Sequence, residues 1–139
     1  MGRTIVRYEG GMKFVGQGKS GHPVTMDAAP EVGGADSAAR PIEALLCSLG
    51  ACTGMDVISI LRKMRTEPTA LEIHVEDERE TDAPKAIKKV HLVYRVKGRV
   101  PEANLRKAIE LSLSTYCPIA NSLSGVAKIT TEYVILPAQ

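Results

Sequence analysis

Apolar and polar positions alternate with period two near both ends and in the middle of the chain, and follow a helical period in between. Thr4 to Tyr8 alternate, Met12 to Val15 make a second short run, and Pro23 to Met26 a third. Gly10-Gly11 and Gly16-Gln17-Gly18 separate them, which predicts an N-terminal β-meander with glycine turns. Asp27 to Ala39, rich in Gly, Ala, Pro and Asp, reads as a loop. From Pro41 to about Met64 the spacing turns helical, with Ile42, Leu46, Leu49, Val57, Ile60 and Met64 on one face and Thr53 filling the gap. Leu45, Ile58 and Leu61 widen that face. Pro41 suits a first helical position, and Arg62, Lys63 and Arg65 suit the negative end of the helix dipole.

Period two returns in a long hairpin. Leu71, Ile73 and Val75 alternate with Glu72, His74 and Glu76, and Val90, Leu92, Tyr94 and Val96 alternate with His91, Val93, Arg95 and Lys97. The turn falls at Thr81 to Pro84. Pro101 opens a second helix with Leu105, Ala108, Ile109 and Leu113 inward. Cys117-Pro118 interrupts it, a short helix runs to Leu123, and a last strand covers Val126 to Ile135. Meander, helix, hairpin, helices and strand in that order predict an α+β fold rather than alternating α/β.

Ala44 to Met55 holds no charged residue, so that half of the long helix is apolar or small nearly all round. Such a helix needs cover on most sides. A chain of 139 residues with few other helices is short of cover, which points to a partner subunit. The uncharged stretch is shorter than the roughly 20 residues a bilayer span needs, and no apolar leader stands at the N-terminus. The expectation is a single domain, residues 1–139, in the cytoplasm, with no membrane partner.

The net charge is +2 and aromatic residues make up 4% of the chain. Basic residues alternate with acids instead of clustering, which argues against nucleic-acid binding. Three cysteines in a reducing compartment are buried, reactive or metal-binding rather than stapled. No CxxC or HxxxH spacing exists, His22, His74 and His91 are scattered, and no glycine loop joins a strand to a helix. Neither a metal nor another cofactor is expected.

Thiol chemistry is what remains. Cys52 sits mid-helix among Gly50, Ala51, Thr53 and Gly54, small neighbours that let other groups approach its sulfur. Taken alone, a helical cysteine is most often a small buried hydrophobe. Cys117 precedes Pro118 at a helix start, where free amide hydrogens and the dipole favour thiolate; the plainer alternative is a weak N-cap at a kink. Cys47 lies about 140° around the helix from Cys52, too far to bond to it easily, and is expected in the core.

These cysteine segments carry a family resemblance. The run from Pro41 through Cys52 to Val57 resembles the central helix of the OsmC/Ohr family, the osmotically inducible and organic hydroperoxide resistance proteins, and Tyr116-Cys117-Pro118-Ile119-Ala120-Asn121 resembles that family's second cysteine segment. Gly10 to Phe14 and Ser20 to His22 are similar to its YhfA-type branch. The resemblance implies an intertwined homodimer of antiparallel sheets around long central helices. It also implies a thiol peroxidase that reduces organic hydroperoxides: Cys52 is oxidised to sulfenic acid, Cys117 closes a disulfide on it, and a dithiol or lipoyl-type reductant restores both. Two positions depart from the hydroperoxide-reducing pattern. Ile42 stands where those members have glutamate, with Glu43 one residue late and so about 100° away. The N-terminal hairpin offers Lys13 in place of the family's thiolate-pairing arginine. These departures keep open an alternative, a related dimer without peroxidase activity that binds a small apolar or thiol-containing ligand.

Overall fold

The computed structural model describes residues 1–137, which fall into two compact units, Met1–Leu46 and the chain from Cys47 onward. In the first unit β1 (Ile5–Tyr8), β2 (Phe14–Gln17) and β3 (Pro23–Met26) form an antiparallel meander in the order β1-β2-β3. Tyr8 and Phe14 are cross-strand partners with ring centroids 5.4 Å apart, a contact that pins the register of the first hairpin. Val6, Tyr8, Phe14 and Val24 are exposed, so this small sheet leaves apolar surface uncovered within its own unit.

The expected loop after β3 is present and is built around one carboxylate. Asp27 is buried and accepts hydrogen bonds from the backbone N–H of Ala28 at 2.7 Å, of Ala35 at 3.3 Å and of Ser37 at 3.0 Å, and from the Ser37 hydroxyl at 2.6 Å. Those donors, Ser37 foremost, hold its pKa down at about 2. Gly34 is demanded here, since a Cβ on it would fall on the Ala28 carbonyl.

Helix α1 (Pro41–Lys63) starts in the first unit and continues into the second. Glu43 Oε1 accepts the Arg40 backbone N–H at 2.9 Å, the reciprocal half of a capping box. Its end is a Schellman turn: Thr66 N–H bonds to Leu61 O and Arg65 N–H to Arg62 O, with Arg65 at φ 58°.

The second unit holds the core. Strands β4 (Ala70–Arg79), β5 (Ile87–Lys97) and β6 (Lys128–Leu136) form a sheet with β5 central. Val90, Leu92, Tyr94 and Val96 are buried along β5, as the period-two pattern predicts. The β4–β5 pair is the expected antiparallel hairpin, but β6 pairs parallel to β5, so this sheet is mixed rather than antiparallel throughout. The chain leaves β5 and returns through two helices, the kind of crossover that parallel pairing requires. Those helices are α2 (Glu102–Leu111) and α3 (Pro118–Leu123), joined by a π-helical turn, Ser112–Tyr116. Leu105, Ala108 and Ile109 are the buried residues of α2.

Within this unit α1 seats on the sheet with its smallest residues. A Cβ on Gly50 would lie 3.1 Å from Val75 Cγ2, and one on Gly54 3.1 Å from Ile73 Cδ1. Leu49, Thr53, Val57 and Leu61 complete the buried stripe. Met55 and Leu45 point outward, and so does Cys47, which the sequence reading placed in the core. The cause lies in its position along the helix: the buried stripe of α1 begins at Leu49, and Cys47 stands before it. By length and composition α1 could cross a membrane, and only 28% of its most apolar window is buried.

Candidate active site

The second unit brings the two distant cysteine segments together. Cys52 on α1 is half-buried, and Cys117, at the join between the π-helical turn and α3, is fully buried. The two are neighbours, close enough for the Cys52 thiol to act on the proton affinity of Cys117, and both are free thiols. The turn that delivers Cys117 carries one residue more than an α-helical turn: the Cys117 N–H bonds to the Ser112 carbonyl, five residues back, at 2.8 Å. Pro118 then starts α3, with Cys117 as its cap.

Cys117 Sγ accepts the Ala120 backbone N–H at 3.3 Å, so the helix start contributes as expected. The expected fall in its pKa does not follow. Burial pushes the Cys117 thiol up to about 11, the neighbouring Cys52 thiol adds in the same direction, and the amide hydrogen bond only partly offsets them.

Beside the thiols lies a set of polar groups that sequence reasoning did not single out for chemistry. Thr53 Oγ1, next in sequence to Cys52, is 2.8 Å from Tyr94 Oη and 2.7 Å from Ser112 Oγ. Ser112 Oγ donates to Asp56 Oδ2 at 2.8 Å. Thr53, Tyr94 and Ser112 are fully buried. Burial, with smaller contributions from Cys117 and Asp56, pushes the Tyr94 phenol up to about 12 and keeps it a hydrogen-bond donor. A signal for this set does exist in the sequence. Tyr94 falls on the inward face of β5 and Thr53 on the inward stripe of α1, and a buried hydroxyl requires a partner.

In the first unit, Glu43 and Arg40 are engaged elsewhere. Glu43 caps α1, and the Arg40 guanidinium bonds to Asp36 at 2.7 Å and to the Ala38 carbonyl at 3.1 Å. Among the described residues no group of three or more His, Cys, Asp or Glu could hold a metal ion.

The family model for OsmC-like proteins matches residues 34–132, well over half of the chain and including Cys52 and Cys117. The chain belongs to the OsmC family. Protein YhfA of Escherichia coli K12 is 33% identical over 134 residues, covering 96% of this chain and 97% of that protein. Among solved structures, a hypothetical protein from Aquifex aeolicus VF5 superposes with a TM-score of 0.86 at 24% identity, over 100% of this chain and 98% of that one. An organic hydroperoxide resistance protein from Elizabethkingia anophelis superposes with a TM-score of 0.71 at 15% identity, over 98% of this chain and 96% of that one. At such identities the two structures establish the OsmC-like fold. Proteins of this fold thus include one named for organic hydroperoxide resistance.

Proposed function

We propose that this OsmC-like protein is a two-cysteine thiol peroxidase for organic hydroperoxides, with Cys52 as the attacking sulfur and Cys117 as the resolving one. The observation that supports the reading is that these two free thiols, delivered from opposite halves of the sequence, are neighbours. The Cys52 thiolate attacks the outer peroxide oxygen, the O–O bond breaks, and the alkoxide takes up the proton that the Cys52 thiol had released and leaves as the alcohol. Cys52 sulfenic acid remains. The Cys117 sulfur then attacks the Cys52 sulfur, and the hydroxyl leaves as water with the Cys117 proton. A dithiol or lipoyl-type reductant exchanges with the bridge and takes the oxidation away as its own disulfide. A reducing cytoplasm suits such a cycle.

A second reading rests on Glu43 and Arg40. Both are committed to capping and to a loop ion pair, so neither is free to serve in the way the departures at Ile42 and Lys13 would require. In that reading the same thiols bind a small apolar or thiol-containing ligand and do not turn over peroxide.

Mass spectrometry of the reduced protein after brief exposure to stoichiometric cumene hydroperoxide separates the two. The peroxidase reading expects a Cys52–Cys117 bridge in the wild type, no peroxide consumption by Cys52→Ser, and a trapped sulfenic acid after one turnover in Cys117→Ser. Unchanged thiols in the wild type favour the ligand-binding reading.

A further inference from the structure

The hydroxyl set beside the thiols has a fixed direction, which follows from counting protons. Ser112 has one hydroxyl proton, and it goes to Asp56 Oδ2. Ser112 Oγ must therefore accept across the 2.7 Å gap from Thr53. The single Thr53 proton is then used, so the 2.8 Å bond from Tyr94 must be donated by the phenol. The result is a one-way chain, Tyr94 to Thr53 to Ser112 to Asp56, with no buried side-chain oxygen or nitrogen among the described residues left unpartnered.

This chain also ties together the elements that carry the cysteines. Thr53 and Asp56 lie on α1, next to Cys52 and one helical turn beyond it. Ser112 opens the π-helical turn, and its carbonyl holds the Cys117 N–H at 2.8 Å. Tyr94 comes from the central strand β5. Ser112 thus grips Cys117 through its backbone and α1 through its side chain.

We infer that Thr53, Ser112 and Asp56 are positioning residues for the dithiol pair: their directed hydrogen-bond chain clamps α1 to the π-helical turn and so sets the approach of Cys117 to Cys52. This rests on the thiol-redox reading of the pair, but not on peroxide as the oxidant. A buried clamp of this kind acts on geometry, and closing a disulfide is sensitive to geometry because the bond tolerates only a narrow range of Cα separations and torsions. Asp56 is the terminal acceptor that gives the chain its direction, and Tyr94 is the far donor, whose loss leaves the Thr53–Ser112–Asp56 link intact.

The test uses diamide, which closes neighbouring thiols without peroxide chemistry. Bridge formation in the reduced full-length protein is followed by mass and by peptide mapping, well below each variant's melting temperature. Thr53→Val and Ser112→Ala should each slow Cys52–Cys117 closure by about tenfold or more, and Thr53→Ser should restore it to within about twofold of wild type. Tyr94→Phe should slow it least. Closure at the wild-type rate in both Thr53→Val and Ser112→Ala overturns the inference. So does a larger effect of Tyr94→Phe than of Ser112→Ala, which remains decisive if Thr53→Val does not fold. A wild type that closes with diamide but ignores cumene hydroperoxide removes the peroxidase reading, and the variant order with diamide still decides the clamp. A wild type that closes with neither removes both.

Discussion

At Cys117 opposing influences meet on one sulfur atom. The Ala120 amide favours thiolate, while burial and the adjacent Cys52 thiol favour the protonated form and prevail, raising the pKa from 9.0 to about 11. The consequence for stability has a definite sign. The folded state binds the Cys117 proton more tightly than the unfolded chain does, so this contribution is fully present below about pH 9 and is lost as pH rises through about 11. Urea unfolding of wild type and Cys117→Ala should therefore show a stability difference that is constant up to about pH 9. Between about 9 and 11 it should shift against the wild type. A difference that stays flat across that window would mean the thiol is not held protonated by its site. In the proposed peroxidase cycle the same proton is useful where it is, because a resolving sulfur must give a proton to the departing hydroxyl.

Helix α1 is seated by Gly50 and Gly54, and the two seats differ in how far they can yield. Opposite Gly54 is Ile73 Cδ1, the free end of a flexible side chain; opposite Gly50 is Val75 Cγ2, attached directly at a stiff β-branched carbon. An alanine in a helix gains about 1 kcal/mol over glycine, whereas overpacking costs about 1–3 kcal/mol. Gly54→Ala should therefore fall within about 1 kcal/mol of wild type, since Ile73 can swing aside. Gly50→Ala should lose about 1–2 kcal/mol, because Val75 can move only with its strand. Thermal and urea unfolding of the two variants checks the order, and the reverse order would mean that α1 shifts on the sheet as a body. From sequence alone these glycines weaken the helix, a cost that either packing or a reactive site would justify. Their use as the contact face appears only when β4 lies beneath them.

For the whole molecule the exposed face of α1 has a definite consequence. Met55 is 71% exposed on a helix whose most apolar window is 28% buried, and Val6, Tyr8, Phe14 and Val24 add uncovered apolar surface in the first unit. Exposed apolar area on this scale marks an interaction surface, and we propose that a second copy of the chain covers it. Sedimentation at micromolar concentration should give a homodimer, and Met55→Lys should shift it toward monomer without loss of helical circular dichroism. A wild-type monomer would remove the partner subunit inferred from the uncharged half of the helix.

The sequence by itself determined the elements and most of their bounds, because hydrophobic period and turn chemistry are local. The meander, the 23-residue helix, the long hairpin and the buried face of β5 all follow from spacing. It also determined the family, since both cysteine segments are contiguous motifs. Tertiary structure alone decided the rest. The parallel placement of β6 depends on where the crossover helices return the chain. The exposure of Cys47 depends on where along α1 the buried stripe begins. The high proton affinity of Cys117 depends on burial outweighing a local amide. The Tyr94–Thr53–Ser112–Asp56 chain joins residues from three elements. Each of these is a balance between groups far apart in the chain, and such a balance has no value until folding brings the groups together.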